Sequence, residues 1–365
     1  MTATDNQEKK MKKFIIAALI LFVQLLAAQI IQAAPLKIVT TLPDYAYLAR
    51  VIGQDAVEVR AIVEGTQDAH FVRPKPSFVE ILRNADLLIA TGLDLEMWLP
   101  SAVDKSGNRR IRSGEIGYVA AATGMNLKDK PVAYSHIEGG LHLYGNPHVT
   151  VSPLNIIQAA DNIRICLGRN LPQQKDRFDR NAAAFVASLC QKLYGEELIS
   201  ILGQQTLLDM HKNGKLLNFL AEKQYKGKPL SAYAGGWLGS LWPLRGTRIV
   251  SYHKNWLYLF DDFGLMEGGF IEPKPGIPPS PRHLASLREA MKQNNIKLVI
   301  SADYFDEKTV SRVAADAGAQ AVMLPYYVGG RPELDTWEKL MDFWVEQLCA
   351  GARRAGLLEA DDATR

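Results

Sequence analysis

Residues 172–198, PQQKDRFDRNAAAFVASLCQKLYGEEL, decide how the rest of the chain is read. Phe178, Ala182, Phe185, Val186, Leu189 and Leu193 fall at offsets of 0, 4, 7, 8, 11 and 15, which places them on one face of an α-helix. Few helix breakers interrupt the pattern before Leu198. At about 1.5 Å per residue such a helix exceeds ~35 Å, enough to bridge two lobes. Working outward on the N-terminal side, residues 36–41, 57–63 and 87–91 are short β-branched runs. Helical segments follow Pro43 and cover 77–84 and 153–170. On the C-terminal side the rhythm returns, with strands predicted over 230–233, 248–252, 297–301 and 321–324. Helices are predicted there over 256–263, 281–294, 307–317 and 335–350. Strands and helices that alternate in this way build parallel sheets covered by helices. The prediction is an α/β fold: two βα lobes with mostly parallel sheets, joined by one long backbone helix. Its boundaries are 34–171 for the first lobe, 172–212 for the interlobe helix and 213–365 for the second lobe, behind a leader over 1–33.

The leader is read from charge and hydropathy. Lys9, Lys10, Lys12 and Lys13 precede an apolar run from Phe14 to about Ala28, and the small residues Ala33 and Ala34 stand before Pro35. That order is the one found in secretory signal peptides. The apolar run is short of the roughly 20 residues that cross a bilayer, so a cleaved leader is expected rather than an anchor helix. No cysteine lies near the junction. A periplasmic protein without a lipid anchor is therefore expected. Across all 365 residues, 47% hydrophobic and 22% charged side chains exclude a disordered or polytopic membrane chain. The net charge is +3, and four lysines and two acids of the leader account for most of it. The remainder carries about +1, which leaves no electrostatic footprint for nucleic acid. The three cysteines, Cys166, Cys190 and Cys349, make neither a disulfide framework nor a thiolate zinc knuckle and read as buried thiols. A bond between Cys166 and Cys190 stays open, since it depends on the two helices being neighbours.

The chemistry lies in the seven histidines. His70 follows a predicted strand in EGTQDAHFVRPKPS, His148 lies in YGNPHVTVSP, and His253 ends the predicted strand IVSYH. Ligands of open α/β sheets gather at the carboxyl ends of strands, so these three can converge on one cleft. Neutral imidazole is the commonest metal ligand, and three on separate loops suit Zn²⁺, which takes nitrogen donors at about 2.0–2.1 Å. Asp303, directly after the predicted strand 297–301, stands where a fourth ligand is needed; capping the turn before Glu307 is its other reading. His211 and His283 lie in polar helical contexts and read as solvated. His136 and His142 flank Gly139 and Gly140 in a loop, with metal capture as a secondary reading.

The segments DAHFVRPKPS (68–77), GNPHVTVSP (145–153), SYHKNWLYLFDDFGL (251–265) and EPKPGIPPSPRHL (272–284) carry a resemblance. In order and spacing the chain, over roughly 36–350, is similar to the zinc and manganese solute-binding proteins of ABC transporters, the ZnuA/TroA-like group. The resemblance implies two α/β lobes joined by a rigid helix, with a metal held between them. It implies a protein that works as a monomer, makes or breaks no bond and hands its ion to an ABC permease and its cytoplasmic ATPase. The family's first two histidine ligands match His70 and His148. Its third position is His in zinc-type members and Glu in many manganese-type members; His253 stands there, so the resemblance implies zinc, with Mn²⁺ as the alternative. The chain also departs from the pattern. Pro325, in LPYYVGG, stands where an Asp is common near the last strand, which leaves Asp303, a water or an open fourth position. The family's DPHxWLDP-like motif reads NPHVTVSP, which alters the surroundings of His148 and keeps the ligand. A manganese- or iron-binding homologue and an adhesin of the same fold are the alternatives within the family. A secreted zinc hydrolase is the alternative outside it, although no HExxH is present to supply its base.

Overall fold

The computed structural model of the chain describes residues 11, 13–16, 34–130, 144–274 and 276–359. The chain divides into two units, Met1–Pro35 and Leu36–Arg365. In the first, Met11 and residues 13–16 are helical and exposed, while Ala33 of the expected cleavage junction lies outside the described residues, as do His136 and His142. Among the described residues no helix is long and apolar enough to cross a membrane.

The second unit opens with β1 (Leu36–Thr40), α1 (Pro43–Gly53), β2 (Val57–Ala61), α2 (Pro76–Arg83), β3 (Leu87–Ala90), α3 (Leu99–Ser106) and β4 (Tyr118–Ala120). The four strands pair in parallel in the order β2-β1-β3-β4. β3 reads LLIA and is buried at every position, as a strand covered on both faces must be. The helices α4 (Pro153–Asn170), α5 (Lys175–Tyr194), α6 (Glu196–Leu202), α7 (Gln204–Lys212) and α8 (Leu216–Glu222) follow. A small antiparallel hairpin of β5 (Gln224–Tyr225) and β6 (Lys228–Pro229) leads to α9 (Gly236–Leu241). The chain then builds β7 (Arg248–Ser251), α10 (Leu257–Phe263), β8 (Met266–Phe270), α11 (Pro281–Gln293), β9 (Leu298–Ala302), α12 (Glu307–Ala317), β10 (Gln320–Leu324) and α13 (Trp337–Arg354). Its sheet is again parallel, in the order β10-β9-β7-β8. Counted from its own first strand, the second sheet repeats the order of the first. Each therefore has a switch point between its first and third strands, where successive connections leave in opposite directions and ligands gather at the carboxyl edge.

The two βα lobes stand as expected, but the connecting helix is shorter than its periodicity suggested. α5 buries the expected face, Phe178, Ala182, Phe185, Leu189 and Leu193, and packs on α1 and α4 on one side and α9 on the other. It ends at Tyr194 because Gly195 takes φ 78° and lies so close to Gly235 that a Cβ would come within 2.6 Å of its Cα. Gly203, at φ 80°, makes the next break, so residues 172–212 form a 3₁₀ turn and three α-helices rather than one rod. Residues 230–233, expected as a strand, form a 3₁₀ turn after Pro229. β4 and β8 were not expected: β4 has three residues, and β8 reads MEGGF, where two glycines hide the strand pattern. All three cysteines are free and buried, so Cys166 and Cys190 are not bonded to each other. Burial pushes both of these thiols up to about 11, which leaves them unreactive near neutrality.

Asp44, in the first turn of α1, is fully buried, and its carboxyl has no side-chain partner among the described residues. Burial pushes its carboxyl from 3.8 up to about 8, with the backbones of Asp44 and Val328 pulling the other way. Between these values the folded chain keeps a proton that the unfolded chain releases, so stability falls as pH rises from about 4 to about 8, by up to ~1.4 kcal/mol per pH unit. Asn at this position stays neutral throughout. Asp44→Asn is expected to be the more stable protein, with a margin over wild type that widens from pH 5 to pH 8 in urea titrations; a margin that does not change with pH contradicts the buried neutral carboxyl.

Candidate metal centre

Each of the three candidate histidines is placed by a short, strongly directed piece of chain. His70 sits in the 3₁₀ turn Ala69–Phe71, which Asp68 caps: its Oδ1 accepts from the His70 backbone N–H at 2.9 Å. The same oxygen lies 2.7 Å from His70 Nδ1. His148 repeats the arrangement, with Asn146 Oδ1 2.9 Å from the His148 backbone nitrogen and 2.8 Å from its Nδ1. In both, an acceptor oxygen two residues upstream keeps the proton on Nδ1 and presents the Nε2 lone pair for ligation. His253 follows β7, where Ser251 Oγ donates to the His253 carbonyl at 2.9 Å. Its Nδ1 lies 3.4 Å from Glu272 Oε2, and the other Glu272 oxygen accepts from the Gly276 N–H at 2.9 Å.

The three rings meet. Centroids of His70 and His148 lie 5.0 Å apart, those of His148 and His253 5.2 Å, and those of His70 and His253 5.9 Å. One nitrogen from each ring lies within 4.8 Å of the other two. A tetrahedral zinc with bonds of about 2.0–2.1 Å needs nitrogens about 3.4 Å apart, so the set has to close by no more than about 1.4 Å. His148 and His253 are buried, and His70 is partly so. Water is largely excluded, which strengthens ligation by neutral donors.

Carboxylates surround the rings without joining them. Burial raises the Asp68 carboxyl, but the His70 hydrogen bond and the His70 and His253 rings outweigh it and hold the group below its ordinary value. Glu272 is pushed up to about 7, chiefly by burial and further by the charge of Asp68, with the Gly276 N–H and His70 opposing. The Asp68 charge behind His70 suits a cation in front of it, and Glu272 adds to that field where it is deprotonated.

Asp303, expected as a fourth donor, is not part of the group that converges. It follows β9, where its backbone N–H is bonded to the Leu324 carbonyl at 2.9 Å, and Arg331 is the charge acting on its carboxylate. Phe305, two residues on, is the side chain that approaches the site, with its ring 6.5 Å from that of His253. Pro325, after β10, gives its carbonyl to the indole N–H of Trp344 at 2.6 Å. His211 is not solvated as expected: it is buried, with Nδ1 3.0 Å from the Tyr194 hydroxyl and Nε2 2.8 Å from the Asp262 carbonyl. His283 is partly buried, 2.9 Å from the Phe270 carbonyl. Asp68, Asn146 and Glu272 were missed in the sequence. The first two carry a visible signal, an Asp or Asn two residues before a His, and Glu272 lay behind a strand that its glycines concealed.

Residues 38–194 and 239–351 match the family described as ZnuA, zinc-uptake complex component A, periplasmic. Among curated relatives, the zinc-binding lipoprotein AdcA of Streptococcus pneumoniae is 24% identical over 295 residues, 79% of this chain and 49% of AdcA. The chain thus spans about half the length of that relative. The iron-binding protein YfeA of Yersinia pestis is 24% identical over 326 residues, 87% of each chain. A zinc-bound crystal structure of a ZnuA deletion mutant superposes with a TM-score of 0.63 at 23% identity, covering 87% of this chain and 98% of the other, which establishes the shared fold. With the family model matched over residues 38–194 and 239–351, segments of both lobes, the chain belongs to the ZnuA family.

Proposed function

We propose that the chain captures a divalent transition metal, zinc first, on His70, His148 and His253 and delivers it to an ABC permease. The observation that carries this reading is the convergence of three imidazoles from three separate loops on one buried point. An all-nitrogen donor set favours zinc and disfavours Ca²⁺ and Mg²⁺, which require oxygen cages. The zinc-binding name of AdcA supports the same choice, and the iron-binding name of YfeA supports a transition metal more broadly. Asp303 stands outside the group, which leaves a water or an open position as the fourth. The protein acts in the periplasm as a monomer, and its work is binding and release rather than bond chemistry.

Ligation requires neutral rings, so protons compete with the metal. Zinc affinity, measured by chelator competition, is expected to fall by at least about tenfold from pH 7 to pH 5. An affinity independent of pH over that range contradicts imidazole ligation.

A further inference from the structure

We infer that Asn146 is a positioning residue for two of the three histidines at once: it orients His148 and fastens to it the segment that carries His253. The inference rests on the metal-site reading above and deepens it. Asn146 is 2% exposed, and each of its polar groups has a partner. Oδ1 accepts from the backbone N–H and faces Nδ1 of His148. Nδ2 donates to the carbonyl of Lys254, the residue after His253, at 2.7 Å. The Asn146 carbonyl accepts from the Tyr258 hydroxyl at 2.6 Å, and its N–H donates to the Lys128 carbonyl at 2.8 Å. Tyr258, at the start of α10, in turn accepts from the Lys128 N–H at 3.2 Å. Two bonds thus run from one residue of the first lobe to the segment 253–258 of the second.

The geometry requires an amide. A carboxylate can still accept from His148, but it has no donor for the Lys254 carbonyl and sets two oxygens against each other. Further along the same seam, Ser152 Oγ donates to Asp262 Oδ2 at 2.5 Å, so the chain after His253 is joined to the chain before His148 through Asn146 and to the chain after His148 through Ser152. His148 and His253 therefore form a preset half-site in the metal-free chain. His70, held by Asp68 on its own turn, completes it.

The test compares full-length wild type, Asn146→Ala, Asn146→Asp, Tyr258→Phe and His70→Ala by zinc affinity and by amide hydrogen exchange over residues 253–258 of the metal-free protein. Thermal unfolding confirms that each variant folds. Asn146→Ala is expected to bind zinc about 10–100-fold more weakly. Tyr258→Phe adds no charge and touches no histidine, and it is expected to weaken binding about three- to tenfold and to speed exchange over 253–258. In Asn146→Asp the added charge favours the cation, so exchange is the readout, and it is expected to rise. Wild-type exchange in Asn146→Asp together with wild-type affinity in Tyr258→Phe overturns the inference, provided His70→Ala has lost zinc. If His70→Ala itself keeps wild-type affinity, the metal-site reading fails as well.

Discussion

Replacing His253 by alanine is expected to reduce zinc affinity by about a hundredfold or more. Structural zinc sites of four ligands supply about 10–16 kcal/mol at neutral pH, so one ligand carries about 2.5–4 kcal/mol, or roughly 60- to 700-fold. His253 is the histidine to choose because it is the proposed ligand from the second lobe: His70 and His148 come from the first-lobe side, before α5 begins. Without it the ion has no hold on the second lobe, and the variant is expected to lose stoichiometric zinc in native mass spectrometry while keeping its fold. The buried hole left by the imidazole admits water, which restores a donor but not the directed Glu272 contact behind it. A variant that still carries one zinc per chain after dialysis against a weak chelator removes His253 from the ligand set.

The second large effect is on stability. Trp337 is fully buried, packs edge-on against Trp237 and Trp344 with centroids 5.8 and 6.3 Å away, and donates its indole N–H to the Thr150 carbonyl at 2.9 Å. Truncation to alanine removes the ring and leaves a cavity at a cost of about 3–5 kcal/mol. It also strands a carbonyl in the 3₁₀ turn that follows His148, which costs about 1–3 kcal/mol more. Trp337→Ala is therefore expected to lower the urea midpoint of the metal-free protein sharply and to loosen the His148 loop. Trp337→Phe, which keeps most of the ring contacts and loses only the hydrogen bond, is expected to cost about half as much or less. A loss below about 1 kcal/mol for the alanine variant contradicts the buried packing of Trp337 against Trp237, Trp344 and the Thr150 carbonyl.

The parts of this architecture that were legible are those where periodicity and burial coincide. The α5 face from Phe178 to Leu193 follows a 3.6-residue repeat because it packs on α1, α4 and α9 at once, and the buried strands β1, β3, β7 and β9 are β-branched or aliphatic for the same reason. The C-terminal end of α5 was misread because Gly195 interrupts no apolar repeat: the break is forced by the backbone of Gly235, 40 residues downstream. β8 was invisible because Gly268 and Gly269 replace the side chains that announce a strand; at Gly268 a Cβ would stand 2.9 Å from Ile296 Cδ1, so the strand's neighbours leave no room for one. Missing β8 meant missing Glu272, whose place behind His253 depends on the strand that delivers it.

The site follows the same division. His70, His148 and His253 were legible because each lies past a strand or beside a proline that fixes the backbone. The groups that orient them were not, since an Asp or Asn two residues from a His reads equally well as a turn. Asp303 has the right position after β9, but the chain turns there so that Phe305 and not the carboxylate approaches His253. A two-residue offset after a strand separates Asp303 from Phe305, whose ring is the one 6.5 Å from that of His253.

Diffraction from zinc-soaked crystals, recorded on both sides of the zinc absorption edge, tests the claim that three imidazoles gather one ion. The account predicts one strong anomalous peak per chain, with a ring nitrogen from each of residues 70, 148 and 253 at about 2.0–2.1 Å. A peak elsewhere on the molecule, or one that reaches no more than one of these rings, contradicts it.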